Sequence, residues 1–173
     1  LAETYFFIKN TSGAELITRA YRAMQGYVNP AWLKRDKKKV IDTVYKALVL
    51  ASIVEKETGL ASERKKIAGL FIRRLEIGMK MQTDPTVIYG MGDAYKGDIR
   101  FRDLRTDTPY NTYTRYGLPP TPIAMPGKAA IDAVLHPVKT DHLYFVANGD
   151  GSHIFSKTLK QHNAAVNKYQ RKK

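Results

Sequence analysis

The chain has no cysteine, which excludes disulfides and thiolate-bound metals and leaves the redox compartment open. No stretch approaches the roughly 20 consecutive apolar residues that span a bilayer. The first residue is Leu rather than Met, so the sequence reads as a fragment or a processed chain, with any anchor or signal segment expected upstream. Among the four histidines, His136, His142, His153 and His162, none stands at the i, i+4 spacing of a helical metal site. No metal and no cofactor is expected. Gly90-Met91-Gly92 lacks the further glycines and the lysine of a nucleotide loop, and Ser52 has no G-x-S-x-G elbow around it. Acidic residues are few: 16 against 29 Lys and Arg, a net charge of +13. Such a surface attracts polyanions, among them nucleic acid, anionic lipid and acidic glycan polymers.

Against these absences stands Leu48-Val49-Leu50-Ala51-Ser52-Ile53-Val54-Glu55-Lys56-Glu57-Thr58-Gly59. A helix apolar on every side is a buried helix, and Gly59 suits a left-handed stop just beyond Thr58. Glu55 and Glu57 then share the last turn. There the negative helix end and the neighbouring apolar surface both disfavour a carboxylate and raise its pKa. A carboxylic acid kept protonated near neutrality is what a general acid requires. Helix geometry does not choose between the two, because residues two apart point about 200° away from each other.

Around that helix the pattern predicts a single α+β domain with flanking helices and a small antiparallel sheet. Thr4–Ile8 reads as a strand. Ser12 and Glu15 form a capping box for a helix ended by Asn29-Pro30. The central helix is expected over Lys38–Thr58. Ser62 should cap the next, with Ile67, Leu70, Phe71 and Leu75 inward and Gly78 closing it. Thr86–Tyr89 reads as a strand after Pro85. Gly90 to Gly127 is a long loop region, and long ordered loops tend to be functional. A helix over Lys128–Leu135 follows, stopped by His136-Pro137. Asn148-Gly149-Asp150-Gly151 should turn a hairpin between Leu143–Ala147 and Ser152–Phe155. Ser156 is placed as the cap of a last helix, with the tail from Arg171 frayed.

The loops offer Gln82, Tyr110, Asn111, Thr112, Tyr113 and Tyr116. Amide and hydroxyl groups beside flat apolar rings are the mixture that grips a sugar. Ala51 to Thr58, Gln82-Thr83-Asp84-Pro85-Thr86-Val87-Ile88-Tyr89-Gly90, Tyr110-Asn111-Thr112-Tyr113, Gly117-Leu118-Pro119-Pro120, Pro126-Gly127, Tyr144-Phe145-Val146, His153-Phe155 and His162-Asn163, in that order, resemble the endolytic murein transglycosylases of the MltG/YceG-like family. The resemblance implies a lysozyme-like active-site arrangement. It also implies endolytic cleavage of peptidoglycan between N-acetylmuramic acid and N-acetylglucosamine, leaving 1,6-anhydro ends.

Residues 1–173 then look like the catalytic domain. The family's inner-membrane anchor and LysM-like domain would lie outside this chain, with the enzyme part extracytoplasmic. Carried over by motif, the catalytic residue falls at Glu57. Substrate contacts fall at Gln82, Asp84, Tyr110, Asn111 and Tyr113, with Asp84 either a second, charge-stabilising acid or a turn former. The implied partners are glycan strands and the peptidoglycan synthases. The alternatives are a noncatalytic basic module binding nucleic acid, or one binding cell wall.

Overall fold

The computed structural model describes residues 1–171. Its architecture is mixed α+β: seven α-helices and one two-stranded antiparallel sheet among the described residues. The helices are α1 (Gly13–Leu33), α2 (Val44–Glu57), α3 (Ala61–Glu76), α4 (Asp84–Met91), α5 (Phe101–Arg105), α6 (Lys128–Leu135) and α7 (Leu159–Tyr169). The strands β1 (Tyr144–Ala147) and β2 (His153–Ser156) pair with Phe145 opposite Phe155 and Val146 opposite Ile154. No helix among the described residues is long and apolar enough to cross a membrane.

Helix α2 is the centre. Ala47, Val49, Leu50, Ala51, Ser52, Ile53 and Val54 are all buried, and α2 packs against both α3 and α6, which also pack on each other. The one polar residue in that run, Ser52, is satisfied twice: its hydroxyl donates to Val49 O at 2.7 Å and accepts from Ile123 N at 2.9 Å. A buried hydroxyl without such partners would cost about 1–3 kcal/mol. Here it pins the loop before α6 to the helix.

The helix starts six residues later than expected. Thr43 caps it, its Oγ1 accepting from Lys46 N at 3.1 Å, while Lys38 and Ile41 form an isolated bridge upstream. Its exit also differs. Thr58 turns out in extended conformation at φ −147°, and Gly59 is not left-handed. The β-branched threonine ends the helix, and its Oγ1 then accepts from Leu60 N at 3.0 Å. Helix α3 therefore begins after Leu60, and Ser62 lies within it rather than capping it. Gly78 does close it, at φ +68°.

Three further expectations fail for local reasons. Thr86–Tyr89 is helical, part of α4, because Pro85 sits in the first turn, where its fixed φ and missing N–H cost nothing. Thr158, with Gln161, caps α7 in place of Ser156, which belongs to β2. Thr4–Ile8 forms no strand: no described segment pairs with it, and Phe6 and Ile8 are 85% and 81% exposed. Helix α1 keeps its capping box and runs past the expected stop, through Pro30 to Leu33, with Pro30 giving up one N–H bond to the preceding turn. Lys172 and Lys173, expected in the frayed tail, lie outside the described residues.

Candidate functional site

The last turn of α2 presents its two glutamates to different surroundings. Glu55 Oε2 accepts from Gly127 N at 2.9 Å. Gly127 is the N-cap of α6, so this carboxylate sits at the positive end of a helix and ties α2 to α6. Glu57 lines a cavity of about 310 Å³ together with Arg74, Gln82, Thr83, Asp84 and Tyr113. The far wall comes from the hairpin and α7: Tyr144, Phe145, Leu159 and His162.

Thr83 Oγ1 donates to Glu57 Oε1. Oε2 has no protein partner among the described residues. Burial pushes the Glu57 carboxyl up to about 7; the Thr83 hydrogen bond pulls it down, the Asp84 charge raises it, and His153 and Arg74 lower it. Burial dominates, so the group is about half protonated near neutral pH. With Oε1 accepting from Thr83, the proton belongs on Oε2.

A threonine network holds that donor in place. Thr83 N donates to Thr112 Oγ1 at 3.1 Å, Thr86 Oγ1 donates to Thr83 O at 2.8 Å, and the Thr86 and Thr112 hydroxyls lie 2.9 Å apart. Beside it Gln82 adopts φ +49°. Non-glycine residues held there are strained and cluster at functional positions. Its side chain is exposed at the cavity. Tyr113 donates its hydroxyl to Asp84 Oδ1. Burial and the Asp84 carboxylate push the phenol far above its usual range, so Tyr113 stays a neutral donor.

Of the residues singled out from sequence, Glu57, Gln82, Asp84 and Tyr113 are brought together. Tyr110 and Asn111 are not. Asn111 is wholly buried: its amide donates to Asp103 O, Leu104 O and Thr106 O, and its Oδ1 accepts from Tyr113 N at 2.8 Å. It builds the loop instead of facing a ligand. Tyr110 packs edge-on against Tyr89 with ring centroids 4.8 Å apart and shares a hydrogen bond with Thr121 Oγ1. Gly90 allows that packing, since a Cβ there would lie 3.1 Å from Tyr110 Cβ.

The residue that sequence reasoning passed over is Arg74. Ile67, Leu70, Phe71 and position 74 share the inward face of α3 at i, i+3, i+4 and i+7. An arginine on an apolar face was the available signal. His162, stacked on Tyr144 with centroids 5.3 Å apart, is held below its usual pKa by burial and by Arg74, so it is neutral at pH 7.

A larger groove of about 820 Å³ lies along another face of α3, lined by Lys38, Lys66, Arg73 and Lys139 among others. Its carboxylates, Glu76 and Asp141, are paired with Arg73 at 3.7 Å and Lys157 at 2.7 Å. Among the described residues no group of three or more His, Asp or Glu is placed to hold a metal ion.

Residues 1–168 match the model of the YceG-like family. The endolytic murein transglycosylase of Bacillus subtilis (strain 168) is 43% identical over 160 residues, covering 92% of this chain and 44% of that protein. The protein of the same name from Streptococcus pneumoniae serotype 2 (strain D39 / NCTC 7466) is 32% identical over 168 residues, covering 94% of this chain and 30% of its own length. A 2.6 Å crystal structure of a putative yceG-like protein from Listeria monocytogenes superimposes with a TM-score of 0.79 at 39% identity, covering 92% of this chain and 52% of that one. The chain spans less than half the length of the curated relatives it matches. With the family model matched over nearly all its residues and a curated relative at 43% identity, the chain belongs to the YceG-like family.

Proposed function

We propose that residues 1–173 form a catalytic domain that cleaves peptidoglycan glycan strands internally as a lytic transglycosylase, a lyase, with Glu57 as its acid and then its base. The observation that carries this reading is a carboxyl raised to about 7, with one oxygen unpartnered, in a cavity edged by amide and hydroxyl groups.

Protonated Glu57 donates to the glycosidic oxygen between N-acetylmuramic acid and N-acetylglucosamine as the C1–O bond breaks and positive charge grows on the sugar ring. The carboxylate so formed takes the proton of the same sugar's 6-hydroxyl while that oxygen closes on C1. A 1,6-anhydro end forms, Glu57 returns to its starting state, and no water enters the balance. Ordinary glycosidases need a second carboxyl at a set separation. Here the other cavity acid, Asp84, is held by Tyr113, which suits it to stabilising charge. A single acid on a buried helix, facing a groove closed by a short hairpin, is a lysozyme-like arrangement.

Gln82, Asp84 and Tyr113 contact the substrate directly. Tyr110 and Asn111 contribute by shaping the loop that carries Tyr113. The substrate requires that the domain act outside the cytoplasmic membrane. There it would be held at the inner membrane by an amino-terminal segment outside this sequence, beside peptidoglycan synthases. The names of the curated relatives and the positive surface charge support this reading.

Mass spectrometry of products from digested sacculi tests it. Anhydro-ended fragments are expected from the wild-type protein and about 10²–10⁴-fold fewer from Glu57→Gln. Reducing ends would make the domain a hydrolase, and bound protein without soluble product would make it a wall-binding module.

A further inference from the structure

The cavity beside Glu57 contains a buried cation that the cleavage chemistry leaves unused. Arg74 is 5% exposed. Its Nε donates to Leu143 O at 2.7 Å and its Nη1 to Met81 O, so two edges of the guanidinium tie the start of the hairpin to the segment that leads into α4. The guanidinium carbon lies 5.5 Å from the centroid of the Tyr144 ring. The remaining nitrogen, Nη2, has no acceptor among the described residues, and Arg74 lines the cavity.

Nor does any carboxylate among the described residues pair with it in contact, although the Glu57 charge is near enough to act on it. Arg74 forms no ion pair among the described residues, Asp84 accepts a hydrogen bond from Tyr113 instead, and Glu57 is about half protonated near pH 7 and mostly protonated below it. Burying a guanidinium without a counter-ion is costly. Two carbonyl ties alone would not require a permanent charge. A charge held against a cavity wall with one unfilled donor is arranged for an anion that arrives with the ligand, and a guanidinium donor matches a carboxylate.

We propose that Arg74 is a carboxylate-binding subsite that selects glycan strands whose muramyl residue carries a free carboxylate, on its lactyl ether or on the attached peptide. This rests on the reading of Glu57 as the acid of a glycan-cleaving site, because it places the carboxylate-bearing sugar within reach of that acid. Chitin-type oligomers, which have the same backbone without the acid, would bind weakly for want of that contact.

The test reads binding without turnover, in Glu57→Gln, by calorimetry. Four probes are used: peptide-free strands with lactyl carboxylates, peptide-bearing strands, and each of these with its carboxylates reduced to alcohols. A charge-assisted hydrogen bond predicts about 10- to 100-fold weaker binding of the reduced forms. Whichever arm shows the loss identifies the source of the carboxylate. Adding Arg74→Met should erase the difference, and Arg74→Lys should keep part of it, since the charge remains while the fork is lost.

Circular dichroism shows whether each variant is folded. If Arg74→Met does not fold, the comparison of native with reduced strands on the Arg74 protein still decides. Equal affinity for native and reduced strands in both arms, or full discrimination surviving in folded Arg74→Met, overturns the subsite. Failure of wild-type protein to release anhydro ends would overturn the cleavage reading separately, because the binding measurement needs no product.

Discussion

Glu55 and Glu57 sit in one helical turn, share the same sequence context, and end in opposite surroundings. Glu55 meets a backbone N–H at the start of α6, where a charged carboxylate is welcome. Glu57 meets a threonine hydroxyl and a cavity, where burial disfavours the charge and holds the proton near neutrality. One ties α2 to α6, and the other is the proton donor in the proposed cleavage. A two-residue offset at the end of a buried helix is enough to separate those roles, because the side chains leave the axis on different faces.

The comparison breaks most readily at Glu57 itself. Glu57→Gln is expected to cost about 10²–10⁴-fold in glycan cleavage, measured as anhydro-end release, while Glu55→Gln keeps activity within several-fold of wild type. An active Glu57→Gln beside an inactive Glu55→Gln would exchange the two roles.

Next in size is a pair of stability effects. Asn111→Ala removes an amide serving three carbonyls and Tyr113 N, and should destabilise by about 3 kcal/mol in denaturant unfolding. Because Tyr113 loses its support, activity should fall with it. Glu57 gives a pH-dependent counterpart. Its carboxyl titrates near 7 in the folded protein against an ordinary 4.5, so between those values the folded chain holds more proton than the unfolded one. Stability linked to this group is full below about pH 4.5 and is lost as pH rises through about 7, a difference of at most about 3 kcal/mol. Glu57→Gln should therefore unfold at a higher temperature than wild type above pH 7, and the advantage should vanish at low pH.

The legible part of the fold was local chemistry. Ser12 with Glu15, the run from Lys128 to Leu135, and Asn148–Gly151 each carry their own cap, period or turn, and each forms as read. Less legible were places where two local signals compete. Pro85 can break a helix or open one. Thr58 and Gly59 can each end one, and the β-branched residue prevailed. The aromatic run Thr4–Ile8 has strand composition, but a strand needs a neighbour, which its own residues do not specify.

At the site, Glu57, Gln82, Asp84 and Tyr113 were identifiable by residue type and motif. Tyr110 and Asn111 have the same chemistry and a different fate: Asn111 gathers three loop carbonyls, and Tyr110 packs on Tyr89 and bonds Thr121. Arg74 escaped notice because a charge on an apolar face reads as surface until the cavity behind it is seen.

Smaller effects sharpen the contrast. Glu55→Gln should lower stability by about 2 kcal/mol through its weakened bond to Gly127 N, with the pH profile of activity unmoved. Thr83→Val removes the hydroxyl that pulls Glu57 downward. The alkaline limb of kcat/KM should then move to higher pH.

The central claim concerns one proton, and carbon-13 NMR of glutamate-labelled protein reads it directly. The carboxyl resonance that disappears in Glu57→Gln should titrate with a midpoint of about 7. A midpoint in the ordinary range near 4.5 would mean that Glu57 is ionised at working pH and has no proton to give.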